Sequence, residues 1–242
     1  MNALYRMADL NIEMESHYEY VHRFCSDYRS DGFPTLMVRV TQKDIERERV
    51  FSRKEDERFG RKRIEYSDQY LESIATYRQI AELLPNYDGF VFHGSAIAVA
   101  KKGVIFTAKS GTGKSTHAGL WKGLLGQKAL IVNDDKPIVR FIRNKPFVYG
   151  SPWSGKAQIN SNTSVPLMAI CILERSDINS IRTIPKSEAL PMMIQQAYRP
   201  STPEMMEKTL DLLDRLDVKF YRLNCNMDMS AAVLSYNTIA QD

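Results

Sequence analysis

Apolar and polar positions change their period several times along the chain, and each change marks an element. Thr35-Leu36-Met37-Val38-Arg39-Val40 alternates like a strand, after a turn at Ser30-Asp31-Gly32-Phe33-Pro34. Lys43 to Arg63 is dense in charge of both signs. Its few apolar residues, Ile45, Val50, Phe51 and Phe59, are only weakly periodic, so it reads as an exposed strand pair or a mobile connection. Arg61-Lys62-Arg63 within it reads as a solvated face. From Ser67 to Leu84 the period becomes helical: Tyr70, Leu71, Ile74, Tyr77, Ile80, Ala81 and Leu84 share one face. Ser67 or Asp68 can cap that helix, and Pro85-Asn86-Tyr87-Asp88-Gly89 stops it.

After Gly89 the runs become short and apolar. Phe90-Val91-Phe92, Ser95–Ala100, Val104–Ala108, Ala129–Val132 and Leu167–Leu173 predict strands, and a strand pair over 137–142 and 147–149 turns at Arg143-Asn144-Lys145. Helices are predicted over 115–125, 187–197 and 203–216, with a late strand over 218–223. Gly150 to Asn162 reads as a polar, flexible loop. Strands alternating with helices place the chain in the α/β class. The division expected is an N-terminal α/β segment over 1–88 and a nucleotide-binding core over 89–242.

Composition narrows the chemistry. The 242 residues suit one large domain, or a core with an annex. A formal charge of +4 is too mild to call for a nucleic-acid partner. Three scattered cysteines argue against a disulfide framework, and four histidines show no zinc spacing. No run approaches the roughly 20 apolar residues of a membrane span, and no leader pattern opens the chain. The expected location is therefore cytoplasmic, with no membrane partner. Oligomeric state is not legible.

One segment carries chemistry. Ser110-Gly111-Thr112-Gly113-Lys114-Ser115 follows a buried strand and opens a helix, the setting of a phosphate loop. Two glycines let the backbone approach a ligand, and N–H groups at a helix start cradle phosphate oxygens. Lys114 is expected on the β- and γ-phosphates of a nucleoside triphosphate, and Ser115 on magnesium. The strict pattern wants glycine where Ala108 stands, so this is a variant. Asp134-Asp135 ends the next strand; one acid can hold metal and the other can accept the proton of an attacking hydroxyl. If 96–100 pairs with 104–108 as a hairpin, His93 returns to the loop end of the sheet. Gly150-Ser151-Pro152-Trp153-Ser154-Gly155-Lys156 reads either as a loop closing over an acceptor or as a surface loop with Trp153 in the core. Lys136, Arg140 and Arg143 are candidate extra cations.

Together, His93-Gly94, the run from Gly103 to Thr116, and Val132-Asn133-Asp134-Asp135 resemble the core of the HPr kinase/phosphorylase family, over roughly residues 90–140. The resemblance implies a phosphoenolpyruvate-carboxykinase-like P-loop fold, with a largely β mixed sheet and flanking helices. It implies ATP, or another nucleoside triphosphate, and Mg2+ as cofactors. Ser110, Gly111, Thr112, Gly113, Lys114, Ser115 and Thr116 would bind nucleotide, and Ser115 and Asp135 metal. Asp134 would be the base, with Lys114 and His93 beside it in catalysis. Thr116 stands where HPr kinases have Glu, and their arginine-rich acceptor signature does not follow the acid pair. The chain therefore looks more like HPr-kinase-related proteins, some of which phosphorylate a peptide serine. The expected function is a phosphotransferase acting on a hydroxyl of a peptide, a protein or a small molecule. The alternatives are a nucleotide-holding regulatory module and a carboxykinase-like enzyme.

Overall fold

Burial explains the period changes, and in one segment it overrules them. The computed structural model describes every residue except Phe59, Arg61 and Asp242, so the expectations for Phe59 and Arg61 lie outside the described residues. The chain divides into two units, Met1–Leu83 and Leu84–Asp242.

In the first unit β1 (Asn2–Met7) and β2 (Leu10–Glu15) form an antiparallel hairpin. Its tight turn puts Ala8 and Asp9 at φ 50° and 59°, the left-handed geometry that two-residue hairpins need. A short helix, α1 (Tyr20–Phe24), precedes β3 (Leu36–Arg39), which pairs parallel with β2. The charged segment that follows is neither a strand pair nor a mobile connection. It is a 17-residue helix, α2 (Gln42–Arg58). Asp44 accepts from the Thr41 N–H and hydroxyl at 2.9 and 2.6 Å, a local cap. The buried residues of α2 are Ile45, Glu48 and Asp56, while Val50 and Phe51 stay exposed. Glu48 is paired with Arg78 of α3 (Asp68–Leu83) at 2.9 Å. A helix whose inner face carries two carboxylates leaves no apolar period to read.

The second unit opens with β4 (Gly89–Val91), β5 (Ser95–Val99) and β6 (Lys102–Thr107). Helix α4 (Lys114–Leu125) leads to β7 (Ala129–Asn133), then the hairpin β8 (Ile138–Ile142) and β9 (Lys145–Tyr149). The 12-residue β10 (Ser164–Arg175) is followed by β11 (Ser180–Ile184), α5 (Lys186–Gln196), α6 (Pro203–Asp214), β12 (Lys219–Cys225) and α7 (Met229–Gln241). The sheet order is β4-β8-β9-β10-β6-β5-β7, with β12 on β10 and β11 on β12. Only β6–β10 and β10–β12 pair parallel, so the sheet is mixed. Strand β10 joins its two parts, pairing antiparallel with β9 through residues 164–166 and with β6 from Leu167 onward.

Alternate residues of the central strands enter different apolar clusters. Ile105, Ile170 and Ile172 pack with Met193 of α5 and Leu212 of α6. Val104, Phe106 and Cys171 pack with Trp121 of α4 and Ile239 of α7. A sheet covered by helices on both faces follows from that alternation. Sequence patterning did not reveal β11, where only Ile184 is buried, or α7, whose buried side is Ala231, Ala232, Ser235 and Ile239. Among the described residues no helix is long and apolar enough to cross a membrane.

Candidate functional site

Strand β6 delivers the chain to the buried Ala108, and the backbone then turns through the glycine-bearing loop 110–113 into α4. Gly111 and Gly113 sit at φ 77° and 121°, where an L side chain is strained. A Cβ at either would meet nothing within 4 Å, so conformation, not crowding, demands glycine there. Gly113 caps α4 and accepts from the His117 N–H at 2.9 Å; the first N–H groups of the helix have no intrahelical acceptor and point at the loop. Lys114 is the first residue of that helix and only 8% exposed, its ammonium 3.3 Å from the Ala108 carbonyl. Burial lowers its pKa, against the opposing pull of Asp135 and Asp134. Ala108, at the departure from the strict pattern, is packed in the cluster of Phe106 and Trp121.

The acid pair is aimed by Asn133. Its buried side-chain oxygen accepts from the N–H groups of Asp135 and Lys136 at 2.9 and 2.6 Å, closing an Asx turn at the end of β7. Its amide nitrogen donates to the Ser151 carbonyl at 2.9 Å. The two acids then face different partners. Asp134 is buried; its carboxylate accepts from the Ser95 hydroxyl at 2.8 Å and also from the Ser115 hydroxyl. Burial raises its pKa, and those two hydroxyls hold it back. Asp135 lies 3.2 Å from His93 Nε2 and 3.4 Å from Lys136 Nζ. Burial pushes its carboxyl up, but His93 and Lys136 outweigh that and hold it below the usual carboxylate range.

His93 reaches this place because β5 and β6 do pair as a hairpin, Ser95 opposite Phe106. Its N–H donates to Gln196 O at 2.8 Å and its carbonyl accepts from Thr107 Oγ1 at 3.0 Å. Gly94 beside it has no room for a Cβ, which would lie 2.9 Å from the Phe106 carbonyl oxygen.

The segment from Gly150 to Asn162 is tied down, contrary to its flexible reading. Ser161 N–H donates to Val132 O at 3.0 Å and Asp134 N–H to Ile159 O at 3.1 Å. Ser151 and Ser154 are buried, and Trp153 is 7% exposed, packed inward and not held out to stack on a ligand. Gly155 comes so close that an added Cβ would lie 3.1 Å from Asp135 Cβ. Of the candidate cations, Lys136 is at the site. Arg140 donates to Tyr87 O at 2.8 Å, and Arg143 is at the β8–β9 turn, a strand length from the acids.

Arg175, the last residue of β10, was not a candidate from sequence. Its guanidinium donates to the carbonyls of Gly111 and, at 3.4 Å, Thr112. Only the parallel pairing of β10 with β6 brings it there, and no local pattern signals that pairing. Among the described residues no three His, Cys, Asp or Glu side chains form a metal-chelating group. Magnesium does not need one, since it takes one or two carboxylates and completes its shell with phosphate and water. Ser115 and Asp134 form such a pair of oxygen donors.

The family model described as SynChlorMet cassette protein ScmC matches residues 65–239. No curated protein matches. Among solved structures, the Hpr(Ser) kinase/phosphatase from Coxiella burnetii is similar at 14% identity and a TM-score of 0.37, over 62% of this chain and 91% of that one.

Proposed function

The chain belongs to the family described as SynChlorMet cassette protein ScmC, and we propose that it is a phosphotransferase with a phosphoenolpyruvate-carboxykinase-like P-loop core, moving the γ-phosphoryl group of ATP to a serine hydroxyl of a peptide or protein. The observation that carries this reading is the divided environment of the acid pair beside the loop: Asp134 with Ser115, Asp135 with His93. Lys114 and the loop N–H groups would hold the phosphates. Ser115 and Asp134 would hold magnesium, which supplies charge neutralisation on the phosphate oxygens. That reverses the order of roles expected from the resemblance, because Ser115 meets Asp134.

Asp135 would be the base. It stays ionised at neutral pH, with His93 and Lys136 fixing its orientation. The acceptor oxygen gives its proton to Asp135 as its bond to the γ-phosphorus forms. The bond from that phosphorus to the bridging oxygen breaks, and the electron pair leaves on ADP.

The test uses labelled ATP with serine peptides and cell extract as acceptors, alongside ATP binding. Asp135→Asn should lower transfer by about 10²–10⁴-fold and leave ATP affinity within a few-fold. Asp134→Asn should abolish the magnesium-dependent part of ATP affinity. The opposite pattern would exchange the two roles. ATP binding with no transfer to any acceptor would defeat the kinase reading and leave a regulatory module.

A further inference from the structure

A cavity of about 410 Å³ opens beside the phosphate loop, on the side bounded by the ends of β10 and β12. It shares Thr112, Gly113 and Thr116 with the loop, so whatever fills it is continuous with a bound phosphate chain. We infer that this cavity seats the base and ribose of the donor nucleotide; the inference rests on the phosphate-loop reading above and extends it to residues outside the loop.

The chemistry of the walls suits an uncharged heterocycle with hydroxyls better than a second anion. Leu120 of α4 and Leu173 of β10 supply apolar walls, and Met227, 73% exposed, supplies a mobile thioether at the rim that can lie on a ring. Arg175 is the cation of the lining, and it is already engaged by the carbonyls of Gly111 and Thr112. Asp177, exposed at the same rim, offers a carboxylate that accepts hydrogen bonds from ribose hydroxyls or base N–H groups and repels phosphate.

The wall contributed by α4 includes an imidazole. His117 is 2% exposed. Its Nε2 is 2.9 Å from Ser235 Oγ, which accepts from Trp121 Nε1 at 2.8 Å and donates to Ala232 O at 3.1 Å. That network makes Nε2 the donor and leaves Nδ1 buried with no partner. The size is within the range of small-molecule pockets, whose usual make-up is apolar walls with a few placed polar groups.

The experiment separates nucleoside from phosphate. Binding of ATP and of inorganic tripolyphosphate, each with magnesium, is measured on the full chain and on Leu120→Trp, which fills the cavity from α4. The unaltered protein should prefer ATP by at least about tenfold, and Leu120→Trp should bring ATP down to the tripolyphosphate level without weakening tripolyphosphate. Equal affinity for the two in the unaltered protein would overturn the nucleoside site and leave the phosphate loop standing. Failure of both to bind would overturn the phosphate-loop reading and this inference with it.

A second readout needs no substitution. Cys225 lines the cavity and is half-buried, whereas Cys25 and Cys171 are fully buried. ATP should slow alkylation of Cys225 by iodoacetamide at alkaline pH several-fold, and tripolyphosphate should not. Equal protection by both, or by neither, would count against the site even if Leu120→Trp fails to fold.

Discussion

Two glycine-bearing loops flank the acid pair, and they use glycine for opposite ends. In the loop before α4, Gly111 and Gly113 face open space and are needed for their positive φ. In the loop from Gly150, a Cβ at Gly150 would lie 1.9 Å from Ser161 O. The first keeps backbone N–H groups available to a ligand. The second has its polar groups engaged by Asn133, Val132 and Asp134, and through them fixes the turn that aims Asp134 and Asp135. Glycine in a loop is therefore no mark of binding in itself; what the missing side chain would have met decides.

The strongest way to break this comparison is to add a methyl group to each loop. Gly150→Ala should cost at least about 3 kcal/mol, because the obstacle is backbone. Gly111→Ala should cost only about 1–2 kcal/mol, from left-handed strain. Urea titration of both variants checks the ranking, and equal losses would erase the distinction. Next in size, Lys114→Ala should weaken triphosphate binding about 100-fold and monophosphate binding much less, as calorimetry with ATP and AMP can show. Uniform loss would place the lysine away from the β- and γ-phosphates.

The smallest effect is one of pH, and it tests the unengaged side one turn into α4. His117 has a folded pKa of about 4 against 6.5 unfolded, so the unfolded chain binds the extra proton first. The contribution is complete above pH 6.5 and is lost as pH falls toward 4. Between pH 6.5 and 5, the unaltered protein should lose about 1.5 kcal/mol more stability than His117→Gln. Parallel curves for the two proteins would show that His117 is not held neutral by burial.

Much of the second unit was legible because its signals are local. Val104–Ala108, the glycine loop and the helix after it are contiguous, and alternation into two apolar clusters is written into β6 and β10. The turn at Arg143 and Asn144 was readable for the same reason. Helix α2 was not readable, since its inward side uses Glu48 and Asp56 where an apolar stripe was sought. Helix α7 hid behind small residues, and β11 behind a mostly exposed face. The loop at Gly150 looked mobile by composition, while hydrogen bonds to a strand some 20 residues earlier hold it.

By itself the sequence determined that a buried strand runs into a glycine-bearing loop and a helix, and that a pair of acids ends the next strand, because those features depend on short-range period and backbone freedom. Only the tertiary structure decided that Ser115 meets Asp134 while His93 meets Asp135, that Arg175 clasps the loop, and that a cavity continues beyond Thr116. Those contacts join residues from 19 to more than 60 positions apart. Strand order and register set them, and both are fixed by burying the two faces of one sheet, not by any local run of residues.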